Sequence, residues 1–313
     1  MRTARKIILR TLLVLVSAIA LTLAGTAVGN AVASANEAAR LVPYGERVDV
    51  GGRQMNVVVS GSGEETLVLL PGFGTAAPGI DFAPLVAELE RDFRVVVVEP
   101  FGSGLSDDTS VPRTSEAYVA EVHAALAQLG IDRYALVAHS IAGVYSLAYA
   151  NRFPGEVTAF VGIDSSVPDQ PGAAVELPVG LMRTLSALGL TRQLDAAGPD
   201  PLEGLPYTAE QREQNRILTL RNGTNDALFS EAALAGTNFS AASGETFPAE
   251  LPVLLIIAEG DDGEVAGWQT LHEAQAAAVD RGEVVLIPGD HYLHHEHSPE
   301  IAERIRALLI PAG

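Results

Sequence analysis

A serine and a histidine stand at two points of the chain where their side chains could act together on a substrate. Ser140 lies in the segment Ala138-His139-Ser140-Ile141-Ala142-Gly143, between an apolar run and a helical pattern. A serine in such a strand–turn–helix segment needs small residues two positions before and after it, and alanines occupy both positions here. His291 follows the last apolar run, residues 283–287. A histidine that accepts the hydroxyl proton would make Ser140 a nucleophile.

Such a pair needs a carboxylate that orients the imidazole and stabilises its charged form. Asp261 is the first choice, because it follows the apolar run 252–258 at a short distance. Asp262, its neighbour, and Asp164, which ends the preceding run at 157–163, remain alternatives. Two backbone amides must also face the charge that develops on a substrate oxygen. The residue after the serine, Ile141, and Phe73 in the loop Leu70-Pro71-Gly72-Phe73-Gly74 are the predicted oxyanion donors.

Four histidines crowd together at positions 291, 294, 295 and 297. A metal site is not predicted from them, because ligation also requires a carboxylate or a thiolate in suitable geometry. The chain has no cysteine, which excludes disulfides, a thiol nucleophile and cysteine-based metal sites. His123 and His272 occur within helical patterns and are predicted to lie at the surface.

Short β-branched runs alternate with helical patterns along most of the chain, which favours a mostly parallel α/β sheet flanked by helices. Runs that are apolar on both faces are typical of strands covered on both sides. Gly51-Gly52 separates the first two runs and predicts an antiparallel hairpin at the entry to the sheet. The predicted strands span residues 47–50, 54–60, 66–70, 94–98, 134–138, 157–163, 252–258 and 283–287.

The segment from about residue 168 to 250 contains no convincing strand. It has helical stretches separated by joints rich in proline and glycine, and we interpret it as a helical cap between the sixth and seventh strands. A cap over the carboxyl ends of the strands would cover the place where ligands bind in open α/β sheets. Leu181, Leu185 and Phe229 are the candidate substrate-binding residues, and they suggest an apolar acyl group.

The N-terminus has the pattern of an export signal. Four basic residues precede an uncharged run from residue 11 to 35 that ends in the small residues AVASA. The pattern predicts a signal peptide cleaved after Ala33 or Ala35. An uncleaved membrane anchor, with a tether through residues 7–29, is the alternative. In either case residues 36–313 form the folded domain, which is predicted to be secreted or held outside the cytoplasm.

The composition of the whole chain is acidic, with 39 Asp and Glu against 20 Lys and Arg, a formal charge of −19. A surface of this sign repels phosphate backbones, so a nucleic-acid partner is not expected. A small-molecule substrate is expected instead. The sequence does not indicate an oligomeric state.

The segments LLPGFGT, VVVEPFGSGLSD, LVAHSIAG and IPGDHYLHHE, together with the Asp-Asp turn at 261–262, resemble the α/β-hydrolase superfamily over residues 44–310. The resemblance implies a serine, acid and histidine triad and implies no metal or organic cofactor. Glu99 and Phe101 stand where many members carry an aspartate and an arginine. Any salt bridge made by that segment elsewhere is therefore not expected here.

The predicted function is hydrolysis of a carboxylic ester through an acyl-serine intermediate. Other enzymes with the same triad remain alternatives: a lactonase, an acyltransferase, or an exported peptidase of the aminopeptidase or iminopeptidase kind. An acidic pocket under the cap would favour a substrate with a free amine. A non-catalytic ligand-binding protein is an alternative from a different class, since a fold alone does not establish an activity.

Overall fold

The computed structural model describes residues 2–172, 174–259 and 265–310. The strands are β1 (Glu46–Val50), β2 (Arg53–Ser60), β3 (Thr66–Leu70), β4 (Arg94–Glu99), β5 (Tyr134–His139), β6 (Val157–Ile163), β7 (Val253–Ala258) and β8 (Gly282–Ile287). The helices are α1 (Arg2–Ala38), α2 (Pro78–Asp81), α3 (Ala83–Leu89), α4 (Ser115–Gln128), α5 (Ala142–Arg152), α6 (Val179–Ala187), α7 (Leu190–Ala197), α8 (Ala209–Asn222), α9 (Asp226–Ala242), α10 (Trp268–Ala277), α11 (Leu293–Glu296) and α12 (Ser298–Leu309).

All eight strands form one sheet in the order β1-β2-β4-β3-β5-β6-β7-β8. The pairs β1/β2 and β2/β4 are antiparallel and the pairs from β4 to β8 are parallel. Gly51 and Gly52 have φ angles of 62° and 83° at the β1–β2 turn, as a two-residue hairpin requires. The structure thus confirms the predicted α/β-hydrolase architecture, a mostly parallel sheet flanked by helices with helical segments between β6 and β7.

The central strands are buried on both faces, which explains their continuous apolar runs. In β4 the side chains of Val96 and Val98 join one hydrophobic cluster, while Val95 and Val97 join the other. The alternation follows from the two-residue period of a strand, and it puts one layer of helices on each side of the sheet. The sheet is therefore a rigid platform whose carboxyl edge carries the loops described below.

The chain divides into two compact units: residues 2–42 with Pro178–Pro201, and residues 43–177 with 202–310. In the first unit, Arg192 donates to Glu37 at 2.5 Å and to Asn30 at 3.0 Å. In the second unit, α8 begins with a capping box formed by Thr208 and Gln211, and Asn225 caps α9 through the amide of Leu228. The predicted cap is thus shared, with α6 and α7 in the first unit and α8 and α9 in the second.

α1 is one continuous helix of 37 residues, and its mean hydropathy over 18 residues reaches 2.4. By length and composition it is able to cross a bilayer. The signal-like features of the sequence therefore all fall on this helix, and cleavage and anchoring remain alternatives.

A buried carboxylate organises the loop after β4. Glu99 has no exposed surface and accepts hydrogen bonds from the Tyr44 hydroxyl at 2.7 Å and the Asn56 amide at 2.9 Å. The backbone amides of Gly79 and Leu105 donate to it at 3.0 and 2.7 Å. Burial raises the pKa of Glu99, and these four donors oppose the rise. All four of these donors are uncharged groups.

Gly104 makes this arrangement possible, because a Cβ there would lie 1.7 Å from Glu99 Oε2 and its φ is +50°. We expect Gly104→Ala to lower the free energy of unfolding by about 3 kcal/mol or more. Gly130→Ala is the matched control, since Gly130 also has a positive φ, +66°, but no atom within 4 Å of an added Cβ. It should lose only about 1 kcal/mol from backbone strain. Denaturant unfolding followed by the fluorescence of Trp268, the single tryptophan, measures both; equal losses would contradict the steric explanation.

Candidate active site

Ser140 occupies a strained turn between β5 and α5. Its φ of +55° lies in the left-handed region that residues other than glycine rarely adopt. The surrounding backbone holds it there: the Ser140 amide donates to Ile163 O at 3.4 Å, and its carbonyl accepts from the Ser166 amide at 2.8 Å. Ala138 and Ala142 are completely buried on either side, as the small residues of such a turn must be. The turn follows the carboxyl end of β5, the edge of the sheet where ligands bind in open α/β folds.

The loop after β3 packs directly against this turn. A Cβ built on Gly72 would lie 2.9 Å from Ser140 Cβ and 2.8 Å from His139 Nδ1, so only glycine fits there. Phe73 is the next residue along this loop, and Ile141 follows the serine. Among the described residues, no acceptor bonds the backbone amide of Phe73 or Ile141. Amides without acceptors in two segments that meet at a serine are able to bind a negatively charged oxygen.

The imidazole of His291 is held by a buried aspartate. His291 Nδ1 lies 2.6 Å from Oδ2 of Asp164, whose side chain has no exposed surface. The other oxygen, Oδ1, accepts from the Ala258 amide at 3.0 Å and from Trp268 Nε1 at 2.9 Å. This carboxylate therefore fixes both the tautomer and the orientation of the ring.

The structure thus brings His291 together with Asp164, which the sequence left as the third choice of acid. Asp261 and Asp262 lie outside the described residues. Asp164 is the first residue after β6 and has a φ of +42°, so its backbone is also strained at this edge. The signal for Asp164 in the sequence was its position directly after the predicted strand 157–163. This strand is the next one along the chain after the strand that precedes Ser140.

His272, predicted at the surface, is completely buried beside this acid. Its ring nitrogens lie 2.8 Å from the carbonyl oxygens of Trp268 and Ser165. The prediction was wrong because His272 lies on the buried face of α10. The weak helical periodicity of this segment in the sequence did not indicate which face is buried. His272 therefore supports the segment that carries the Trp268 hydrogen bond.

His139 connects the serine turn to the histidine loop. Its Nε2 donates to the carbonyl oxygen of His291 at 2.9 Å, while its buried Nδ1 has no hydrogen-bond partner. Burial lowers the pKa of His139 well below the usual value, and repulsion from His294 and His291 lowers it further. A neutral ring with its proton on Nε2 fits these contacts, so His139 positions the loop and does not titrate near neutral pH.

A second buried cluster lies behind His139. Asp81 accepts from His294 Nε2 through Oδ2 and from His295 Nε2 through Oδ1, each at 2.8 Å. Burial alone would raise the pKa of Asp81, but the two imidazoles hold it below its usual range. These three are the residues with which a metal could be held in the described part of the chain. Each nitrogen faces its own carboxylate oxygen at hydrogen-bonding distance, so hydrogen bonds account for the arrangement.

A cleft opens in the second unit, and it reaches the serine turn through Gly72, which packs against Ser140. The loops 71–76 and 100–103 line this cleft together with the helices α4, α8 and α9. The lining residues include Gly72, Phe101, Tyr118, Asn222, Leu228 and Glu231. Of the predicted substrate-binding residues, Phe229 lies on α9 and is buried, and Leu181 and Leu185 lie on α6 in the first unit. Sequence reasoning missed Tyr118 and Glu231, which no motif marks.

The buried state of His139 has a consequence for stability. Because its pKa is lower in the folded than in the unfolded chain, its contribution is complete above about pH 6.5 and is lost on acidification below that value. We expect the wild-type chain to lose about 1.4 kcal/mol more than His139→Gln between pH 7.5 and 5.5. Denaturant unfolding at both pH values measures the difference. Identical losses in the two proteins would contradict a neutral buried His139.

Comparison with known proteins shows the family to which the chain belongs. A family model described as alpha/beta hydrolase fold matches residues 65–298. The uncharacterized protein YbdG of Bacillus subtilis (strain 168) is 27% identical over 270 residues, which cover 82% of this chain and 83% of YbdG.

Solved structures share the fold. The epoxide hydrolase VrEH1 from Vigna radiata has a TM-score of 0.64 at 22% identity, over 84% of this chain and 96% of its own. The enol-lactonase from Burkholderia xenovorans LB400 has a TM-score of 0.60 at 19% identity, over 85% and 100%. At these identities the likeness concerns the fold. The family model spans most of the chain, including Ser140, Asp164 and His291, and the chain therefore belongs to the α/β-hydrolase family.

Proposed function

We propose that this α/β hydrolase cleaves carboxylic esters or related acyl bonds through an acyl-serine intermediate. The observation that carries the proposal is the arrangement around the strained turn of Ser140. The imidazole of His291 is held by a buried carboxylate, and its ring lies 4.6 Å from that of His139, the residue before the serine. His291 removes the hydroxyl proton, Ser140 Oγ attacks the carbonyl carbon, and the Phe73 and Ile141 amides bind the oxyanion. His291 then protonates the leaving group, and water releases the acid.

The serine itself favours acyl chemistry over epoxide opening, although a structural neighbour is an epoxide hydrolase. Attack of a serine on an epoxide would leave an ether on the enzyme, which has no carbonyl for water to attack. An acyl-serine is an ester and can be hydrolysed by the same histidine. A lactone, the substrate class in the name of another neighbour, is also an ester.

Asp164 is the proposed acid of the triad, because its Oδ2 lies 2.6 Å from Nδ1 of His291. We also propose that the hydrolase domain lies outside the cytoplasm, with α1 serving as a signal or an anchor. Support for the location comes from the basic start and apolar length of α1. No metal or cofactor takes part in the proposed steps.

Labelling with a fluorophosphonate tests the activated serine. The full chain in nonionic detergent should be labelled, and Ser140→Ala and His291→Ala should not be. Ser110→Ala, at an exposed serine, is the matched control and should be labelled like the wild type. A folded wild type that resists the reagent would contradict the mechanism and favour a non-catalytic binding protein.

Steady-state hydrolysis of short-chain p-nitrophenyl esters tests the proposed roles of Ser140, His291 and Asp164. We expect kcat to fall by about 10³–10⁶-fold in Ser140→Ala and His291→Ala, and by about 10⁴-fold in Asp164→Asn, which keeps the shape but loses the charge. Asp261→Asn and Asp262→Asn should lose far less. The reverse order, with Asp261→Asn or Asp262→Asn the more damaging, would assign the acid to the loop after β7.

A further inference from the structure

The cleft beside Ser140 contains a carboxylate that the proposed mechanism does not use. Glu231 projects from α9, and its Oε1 accepts a hydrogen bond from the Tyr145 hydroxyl at 2.9 Å. In the described part of the chain, its second oxygen has no hydrogen-bond partner. Since Glu231 lines the cleft, that oxygen is available to a ligand there.

A second unused polar group lines the same cleft. Tyr118 is only 3% exposed, and its hydroxyl has no hydrogen-bond partner. Its ring stacks on that of Tyr145, with centroids 4.3 Å apart, so the two tyrosines and Glu231 form one group. An unpaired buried hydroxyl costs free energy unless a ligand supplies its partner.

The charges around this group do not balance. Arg113 is buried, and its guanidinium forms an ion pair with Glu121 while lying 5.5 Å from the Tyr118 ring centroid. One positive charge is thus set against two carboxylates, those of Glu121 and Glu231. Burial raises the pKa of Glu231, and the Tyr145 hydrogen bond and the charge of Arg113 oppose the rise. A cation in the cleft would complete the balance.

We propose, building on the function proposed above, that the substrate's acyl group carries a protonated amine that Glu231 and Tyr118 bind. An ammonium group has only donors, which suits a carboxylate oxygen and a hydroxyl oxygen without partners. A neutral hydroxyl on the substrate would satisfy a hydrogen bond but leave the carboxylate charge unpaired. Aminoacyl esters and amides are the corresponding substrate class.

The neighbouring residues set the shape of this site. Gly72 forms the end of the cleft next to Ser140, and Phe101 and Leu228 provide apolar surface in the same cleft. This apolar surface favours a small apolar side chain on the acyl group. The acidic net charge of the protein, −19, also attracts a cationic substrate.

Hydrolysis of three 2-naphthyl esters tests the inference on the full chain in nonionic detergent at pH 7. The alanyl ester carries the amine, the lactyl ester has a hydroxyl in its place, and the propionyl ester has neither. We expect kcat/KM for the alanyl ester to exceed that for the other two by at least about tenfold, the effect of a charge-assisted hydrogen bond. The N-acetylalanyl ester, whose nitrogen is uncharged, should lose this advantage.

Substitutions of Glu231 and Tyr118 test whether these residues cause the higher kcat/KM for the alanyl ester. Glu231→Gln should reduce the alanyl-to-propionyl ratio of kcat/KM to about threefold or less, because the amide keeps the shape without the charge. Tyr118→Phe should lower the ratio by a smaller factor. Glu210→Gln, the same substitution at an exposed position of α8, is the matched control and should leave the ratio unchanged.

The outcomes separate this inference from the function on which it rests. Equal kcat/KM values for the alanyl, lactyl and propionyl esters would overturn the amine site while leaving the esterase mechanism in place. An alanyl preference that persists in Glu231→Gln would also overturn it. A wild type that hydrolyses no ester and resists the fluorophosphonate would overturn both. If Glu231→Gln fails to fold, the wild type still tests the amine site through the alanyl and N-acetylalanyl esters. Equal kcat/KM values for these two esters would overturn the inference.

Discussion

The buried carboxylate of Asp164 is the contact on which the geometry of the site depends. It lies at the end of β6 and joins the amide that ends β7, the indole at the start of α10 and the imidazole after β8. A carboxylate without exposed surface requires such partners, because an unpaired buried charge is very unfavourable. Three segments that are separate in sequence are therefore held at one edge of the sheet.

Backbone strain is concentrated at the same edge. Among the described residues other than glycine, Ser140, Asp164 and Asp169 have positive φ angles, and the first two belong to the site. The hydrogen bonds that join Ser140 to Ile163 and Ser166 cross from β5 to β6 and beyond. Strain of this kind persists only where the surrounding structure determines the backbone conformation. The parallel pairing of β5 and β6 provides that rigidity.

Histidines in this protein have several distinct roles that their clustering in sequence does not reveal. His291 contacts the carboxylate of Asp164, His139 holds the loop of His291 through its backbone, and His294 and His295 share the carboxylate of Asp81. Burial lowers the pKa of His139 and of His294, which favours their neutral forms. The site therefore combines one partly exposed histidine with three neighbouring histidines that are buried and hydrogen-bonded.

The sequence by itself determined the elements and their local chemistry. The strands, the turn that holds Ser140 and the position of His291 after the last strand depend on residues close together in the chain, through apolar periodicity and the small residues around the serine. Only the tertiary structure decided which carboxylate meets His291 and which residues line the cleft. Asp164 and His291 are 127 residues apart, and Tyr118 and Glu231 come from different helices. Such contacts depend on strand order and helix packing, which no local pattern specifies.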